Sequence, residues 1–354
     1  MPKKFSDALL AWYDANGRTL PFRTHPNPYH IWISEIMLQQ TRMDTVLPYF
    51  ERFVQAVPTI KDLANLPDDK LLKLWQGLGY YSRAKNLKKT AAILCAQHGG
   101  RLPSDIKELA KLPGIGPYTA GAIASIAFGK KNAAIDGNVL RVITRITAND
   151  GDIADKKTKN AVENFILQVM PEGRSGDFNQ ALMELGALIC LANTTPKCSE
   201  CPLSFCCEAY EKNLIDLIPV KKAKPCRKIE KKTVFILRCD EEYALRQRPS
   251  DGLLSSLFEF YNVEGHLGKA ACRQHLVQQN MQVSDITPLP NAKHIFTHLE
   301  WHMQGYDVAL MQKPPCEALV WAKKEEIQKI YSVPSAFKAY LKHLSSSSGF
   351  NSAT

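Results

Sequence analysis

The sequence predicts a mainly α-helical N-terminal half joined to a smaller α+β domain. Two observations carry this. Up to residue 219, apolar side chains recur at three- and four-residue spacing, with Gly or Pro between most segments. After a basic stretch, "VKKAKPCRKIEKK", the texture changes to short runs of β-branched and aromatic residues. The predicted organisation is a helical domain over 1–219, a linker over 220–232, an α+β domain over 233–344 and a disordered tail over 345–354.

In chain order, helices are expected in "YHIWISEIMLQQT", "DDKLLKLWQGL", "YSRAKNLKKTAAILCAQH", "DIKELAKL", "YTAGAIASIAF", "GNVLRVITRIT", "KNAVENFILQVM" and "DFNQALMELGALIC". Strands are expected in "TVFILRC", "YALRQR", "SLFEFYNV" and "YDVALMQ", with helices in "KAACRQHLVQQN" and "PSAFKAYLKHL". His294, His298 and His302 are spaced by four, which on a helix would suggest a metal face. Their β-prone neighbours point to strand and loop instead.

Composition narrows the function. A chain of 354 residues suits two domains, and no apolar run approaches the roughly 18 residues of a membrane span. The opening "MPKKFSDALLAWYDANGR" carries Asp7 and Asp14 where a signal peptide would be apolar or small. No targeting segment is therefore expected, and a cytoplasmic, reducing setting is. A net charge of +10 favours nucleic acid over membrane, because Lys and Arg release counterions condensed on phosphates. The chain is expected to act as a monomer without a membrane partner.

Three stretches carry chemistry. In "LPGIGPYTAG", Pro117 suits the first turn of a helix, and Gly114 and Gly116 allow close approach of a ligand to the backbone. A helix–hairpin–helix of this kind can hold a DNA phosphate without reading bases; the plainer reading is a helical hairpin with a glycine turn. Glu35 is the only ionisable residue from Ile31 to Thr41, so it either faces solvent or is held protonated by burial as a general acid. Asp136 opens "DGNVLRVITRI", where it is either an ordinary helix N-cap or a carboxylate facing an oxocarbenium-like transition state. The third stretch, "CLANTTPKCSECPLSFCC", holds five of the ten cysteines. Only Cys198 and Cys201 form a Cys-x2-Cys pair, so an all-thiolate iron–sulfur cube fits better than a zinc site with two knuckles.

"LPGIGPYTAG" followed by "IDGNVLRV" and the cysteine run resembles the helix–hairpin–helix DNA glycosylases that carry an iron–sulfur cluster. "LPFR", "PYHIWISEIMLQQT", "GLGYYSRAKNL" and "FNQALMELGALIC" are similar to the MutY-type adenine DNA glycosylases among them. The resemblance implies a mainly α helix–hairpin–helix glycosylase half, a Nudix-like C-terminal domain without a working hydrolase box, and duplex DNA with 8-oxoguanine·adenine mispairs as partner. It implies monofunctional removal of adenine opposite 8-oxoguanine or guanine, by base flipping and hydrolysis of the N-glycosidic bond. It also implies nucleoid association.

On the matching positions the resemblance makes Glu35 the acid that protonates adenine and Asp136 the group that stabilises or attacks the sugar. Tyr118 and Asn138 would support them. Arg23 and Gln180 would line the adenine pocket. Gln40, Thr41, Leu78 and Tyr80 would fill the stack and meet 8-oxoguanine, and Phe296, Thr297 and His298 would form the recognition loop. Gly114 and Gly116 would hold phosphate. Cys190, Cys198, Cys201 and Cys207 would bind a 4Fe-4S cluster, which orders a basic loop and does no chemistry. Cys206 is the spare.

Four positions depart from the family pattern: seven residues rather than six separate Cys190 from Cys198, Phe22 replaces a Trp, Thr297 replaces a Ser, and "LLSSLFEF" lacks a Trp. The extra residue should make the "LANTT" loop bulge. Endonuclease III-like relatives carry a lysine nucleophile where this chain has Tyr118, which cannot form a Schiff base. The competing readings are such a bifunctional lyase and a non-catalytic iron–sulfur DNA-binding protein.

Overall fold

The computed structural model describes residues 2–24, 27–222 and 226–346. It contains two compact units: Met1–Leu66 with Lys85–Lys224, and Pro67–Ala84 with Pro225–Thr354. The second unit thus takes in a short segment that lies inside the expected helical domain.

The first unit is helical: α1 (Pro2–Asn16), α2 (Pro21–Thr24), α3 (Pro28–Leu38), α4 (Met43–Ala56) and α5 (Ile60–Asn65) lead it. After α6 (Asp68–Leu74), which belongs to the second unit, come α7 (Ser82–Gln97), α8 (Ile106–Ala110), α9 (Pro117–Ala122), α10 (Gly137–Ile146), α11 (Lys156–Val169), α12 (Ser175–Leu188) and α13 (Glu208–Glu211). Its core joins four helices: Phe5 and Leu9 of α1, Val139, Val142 and Ile143 of α10, Ile166 of α11, and Phe178, Leu182 and Leu185 of α12. The cysteine run folds against this core, with Leu203 fully buried and Cys190, Cys201, Cys206 and Cys207 packed beside it.

A π-helical turn, Ile123–Ala127, continues α9. A buried amide ties this turn to the chain that follows it. Asn179 of α12 donates to Ser125 Oγ and Asn132 O, and accepts from Ala134 N–H. This clamp fixes the chain that runs into Asp136.

The second unit contains a six-stranded sheet in the order β4-β5-β1-β3-β2-β6. The strands are β1 (Lys228–Cys239), β2 (Glu242–Gln247), β3 (Phe258–Glu264), β4 (Val283–Ile295), β5 (Leu299–Leu310) and β6 (Leu319–Lys323). The β1–β5 pair is parallel and the other pairs are antiparallel. Both faces of β1 are covered, which explains its unbroken "VFIL" run: Val234 and Ile236 join one core with Trp301 and Phe337, and Phe235 and Leu237 join another with Leu276 and Val308. Helix α14 (Lys269–Gln278) covers the second face, and α15 (Lys324–Lys329) and α16 (Lys338–Ser346) the first.

Three boundaries and two strands differ from the sequence reading. Strand β1 begins at Lys228, inside the stretch 220–232, because ladder pairing with β5 is a backbone property that polar side chains do not prevent. Helix α16 runs to Ser346, and 347–354 of the expected tail lie outside the described residues. Strands β4 and β6 were not expected. Both are edge strands, and β4 carries Pro288 and Pro290, with an irregular register between Leu289 and Ala292. Proline is tolerated at such an edge, so composition hid the strand.

Candidate active site and cysteine centre

Helix α3 begins at Asn27, whose side chain accepts from Tyr29 N–H, and Pro28 fills its first turn. Its length from Tyr29 to Met37 is almost wholly buried, including Trp32 and Ile33. Glu35 is carried in with it. The residue is only 6% exposed, which excludes the solvent-facing alternative. Tyr118, from the first turn of α9, donates to Glu35 Oε2 at 2.6 Å. Burial pushes Glu35 up to about 7, against the lowering effect of the Tyr118 hydrogen bond and the Arg23 charge. Burial, then the charges of Glu35 and Asp136, hold the Tyr118 phenol well above its usual value, so it remains protonated.

Asp136 caps a helix and also lines the cavity. It is the N-cap of α10, with Oδ1 accepting from Val139 N–H at 2.7 Å, and it lines the same cavity as Glu35. Asn138 Nδ2 donates to its other oxygen at 2.9 Å. Burial raises its pKa, while the two hydrogen bonds and Arg141 favour the charged form.

The cavity is about 830 Å³ and is lined by eight expected residues: Arg23, Glu35, Gln40, Thr41, Tyr118, Asp136, Asn138 and Gln180. Phe22 lines it too; the ring is buried edge-on against Phe50, with centroids 5.2 Å apart. Gln180 is anchored by an Nε2 bond to Gly176 O at 3.3 Å. Gln40 is exposed and adopts φ +57°, unusual for a residue with a side chain. The two turn glycines differ. Gly114 has φ +78°, and a Cβ there would lie 2.8 Å from Asn86 Cβ; Gly116 has open space around it.

Sequence reasoning passed over Glu184 and Arg18. Glu184 lies one turn after Gln180 and is almost fully buried. Arg18 donates to both its oxygens at 2.8 Å, and Arg23 pairs with it at 3.0 Å. The logic applied to Glu35, a lone acid on an apolar helix, would have found it: no other acid lies between Phe178 and Cys190.

The remaining expected residues belong to the second unit. Tyr80, Phe296, Thr297 and His298 line a cavity of about 400 Å³ with Leu253, Leu254 and His294. Tyr80 is exposed, at φ +46° between Gly79 and Tyr81, and its hydroxyl is 3.0 Å from Thr297 Oγ1. Phe296–His298 connect β4 to β5, closed by Phe296 N–H donating to Leu299 O, and the Phe296 ring packs edge-on against His294 and Trp301. The three histidines therefore lie on strand ends and a loop. Leu78 is buried, and Arg83 clamps the turn by donating to the carbonyls of Leu78 and Gly79.

Cys190, Cys198, Cys201 and Cys207 rim one recess with Arg145 and Tyr210 over an apolar floor that includes Val142, Leu185 and Ile189. Cys206 is not on that rim; its thiol donates to Leu203 O. Among the described residues no three His, Cys, Asp or Glu side chains form a single-ion set. A ring of four thiols around a recess suits a multi-iron cluster. Burial pushes Cys201 up to about 12 and raises Cys198 and Cys207, so thiolates there need a cationic partner. Arg145 supplies one fixed cation, donating to Cys190 Sγ at 3.3 Å and to the carbonyls of Leu191, Ile215 and Ile218. The added residue between Cys190 and Cys198 is absorbed in a loop closed by Lys197 N–H donating to Ile189 O. Arg141 bridges to the other site, donating to Cys190 O and to Asn138 Oδ1.

Residues 33–168 match the family described as HhH-GPD superfamily base excision DNA repair protein, and residues 233–343 match the NUDIX domain. An adenine DNA glycosylase of Buchnera aphidicola subsp. Baizongia pistaciae (strain Bp) is 39% identical over 299 residues, 83% of this chain and 83% of its own. An adenine DNA glycosylase of Mus musculus is 32% identical over 407 residues, covering 96% of this chain and 78% of its own. A solved thermostable thymine-DNA glycosylase superposes with a TM-score of 0.54 at 32% identity, over 60% of this chain and 97% of that one. Likeness of this extent, on a helical unit that sets buried Glu35 and half-buried Asp136 in one cavity, makes the chain a member of the adenine DNA glycosylase family of HhH-GPD base-excision repair proteins.

Proposed function

We propose that the protein removes adenine paired with 8-oxoguanine or guanine, flipping it into the 830 Å³ cavity and hydrolysing its N-glycosidic bond. The observation that carries this is Glu35: a buried carboxyl with a pKa near 7, hydrogen-bonded by Tyr118 and sharing its cavity with Asp136. A carboxyl that keeps its proton near neutral pH can give it to adenine N7, so the base leaves without negative charge. Cleavage leaves positive charge on the sugar at C1′. Asp136, held by Val139 N–H and Asn138, is the anion that stabilises or captures it before water completes hydrolysis. Arg23 and Gln180 supply the polar edge for adenine.

Tyr118 holds Glu35 and offers no amine, so base removal proceeds without an efficient lyase step. Gly114 and Gly116 bring backbone close to a DNA phosphate. In the second unit, Tyr80, Thr297 and the Phe296–His298 turn form the surface for 8-oxoguanine. Cys190, Cys198, Cys201 and Cys207 hold a 4Fe-4S cluster, which orders the loop and takes no part in hydrolysis. Among the described residues no helix is long and apolar enough to cross a membrane. On this reading the enzyme works in the cytoplasm, on the nucleoid, as a monomer.

Single-turnover cleavage of an 8-oxoguanine·adenine duplex tests the reading. Wild type should release adenine, with the rate falling as pH rises through about 7 and Glu35 loses its proton. Glu35→Gln and Asp136→Asn should each be slower by roughly 10²–10⁴-fold. No adenine release by wild type, or two variants as fast as wild type, would end it.

A further inference from the structure

We propose that Gln39 is a positioning residue: its hydrogen bond to Thr119 holds the strained turn that aims Gln40 at the DNA stack. This rests on the reading of Gln40 as the side chain that fills the stack when adenine is flipped out. Helix α3 stops at Leu38, and the chain turns through Gln39 and Gln40. Gln39 has φ −56° and ψ 110°, Gln40 has φ +57°, and Thr41 N–H donates to Leu38 O at 3.2 Å. These are the marks of a type II turn, whose third residue is ordinarily Gly or Asn. A glutamine in the left-handed region is strained, and such strain persists only where the surrounding structure enforces it. Glycine would relieve it but would leave no side chain to place in the stack.

The enforcing contact comes from α9. Gln39 Nε2 donates to Thr119 Oγ1 at 3.1 Å, and Thr119 is buried. Thr41 Oγ1 closes the turn from its other side, donating to Gln39 O at 3.4 Å. Gln39 lies one turn after Glu35, and Thr119 follows Tyr118, which donates to Glu35. The two hydrogen bonds are neighbouring rungs between the end of α3 and the first turn of α9. One rung meets the acid, and the other meets the turn that presents Gln40, which is exposed. Gln39 and Gln40 line the cavity, whereas Thr119 stands behind its wall. A change at Thr119 therefore reaches the turn without altering a side chain that meets the flipped base.

The test is the emission of 2-aminopurine placed at the target adenine opposite 8-oxoguanine, in duplex bound by saturating Glu35→Gln protein, in which excision is slow. Brightening reports that the target base has left the stack. Gln39→Leu and Thr119→Val, added to that background, each remove the hydrogen bond and keep the bulk. Each should lower the equilibrium between flipped and stacked base by about two- to tenfold. The two together should lower it no further than either alone. Thr119→Ser keeps the hydroxyl and loses a methyl, so it should brighten as the Glu35→Gln protein does. A packing role for Thr119 predicts the opposite order, with Ser dimmer than Val. That order, additive losses in the double variant, or undiminished brightening in Gln39→Leu would overturn the inference, and Gln39→Leu at its half-buried position decides should the Thr119 variants fail to fold. A Gln40→Ala variant that brightens fully would instead end the reading of Gln40 itself.

Discussion

At the scale of single residues, the chemistry rests on side chains whose environment is set by distant neighbours. Glu35 is apolar in context: it lies in a buried helical run with Ile31, Trp32, Ile36 and Met37, and one phenol meets it. Asp136 has two separable jobs, capping α10 through Oδ1 and facing the cavity. Asparagine can cap almost as well as aspartate, but alanine cannot. Asp136→Ala should therefore lose both turnover and about 0.5–2 kcal/mol of stability, read by thermal melting. Asp136→Asn should lose turnover with a near-native melting temperature. Equal melting of the two variants would mean that the cap contributes nothing. The alternatives for these two acids were visible in the sequence, but choosing between them required the burial that only packing provides.

At the scale of elements, the turn before α9 separates glycine's two uses. Gly114 is demanded by the fold: φ +78° disfavours a side chain, and Asn86 would collide with one. Gly116 has an ordinary φ of −83° and open space, so the fold does not require it. Gly114→Ala should cost about 1–3 kcal/mol, seen as a lowered melting temperature. Gly116→Ala should melt like wild type but bind duplex DNA more weakly, measured by fluorescence anisotropy at fixed salt. Unchanged binding by Gly116→Ala would remove that glycine from the DNA interface. The hairpin itself was legible from "LPGIGPYTAG". The π-helical turn Ile123–Ala127 was not; its Ser125 is met by Asn179 of α12, 54 residues further on, a contact no local pattern announces.

At the scale of the whole molecule, two polar frames run through the chain. Arg141 and Arg145 of α10 tie the cysteine loop to Asn138, and the segment 67–84 is held within the second unit by Lys73 and Gln76 donating to the carbonyls of Gln328, Tyr331 and Val333. If the recess holds a 4Fe-4S cluster, iron and acid-labile sulfide should be found in about equal amounts in purified protein, and Cys198→Ser should lower both together with thermal stability. Zinc in their place would refute the assignment. Sequence by itself determined the two-part architecture and the helical hairpin, because each is a local pattern of spacing or residue type, while the pairing of Glu35 with Asp136 and the choice of four cysteines rested on resemblance to a family. Tertiary structure alone decided that Glu35 is buried, that Cys206 stands off the rim, that Leu78 packs inward and Tyr80 faces Thr297, and that Glu184 gathers two arginines. The physical reason is common to all of these: burial and ion pairing depend on what the rest of the chain brings alongside, and Arg18 meets Glu184 across 166 residues of sequence.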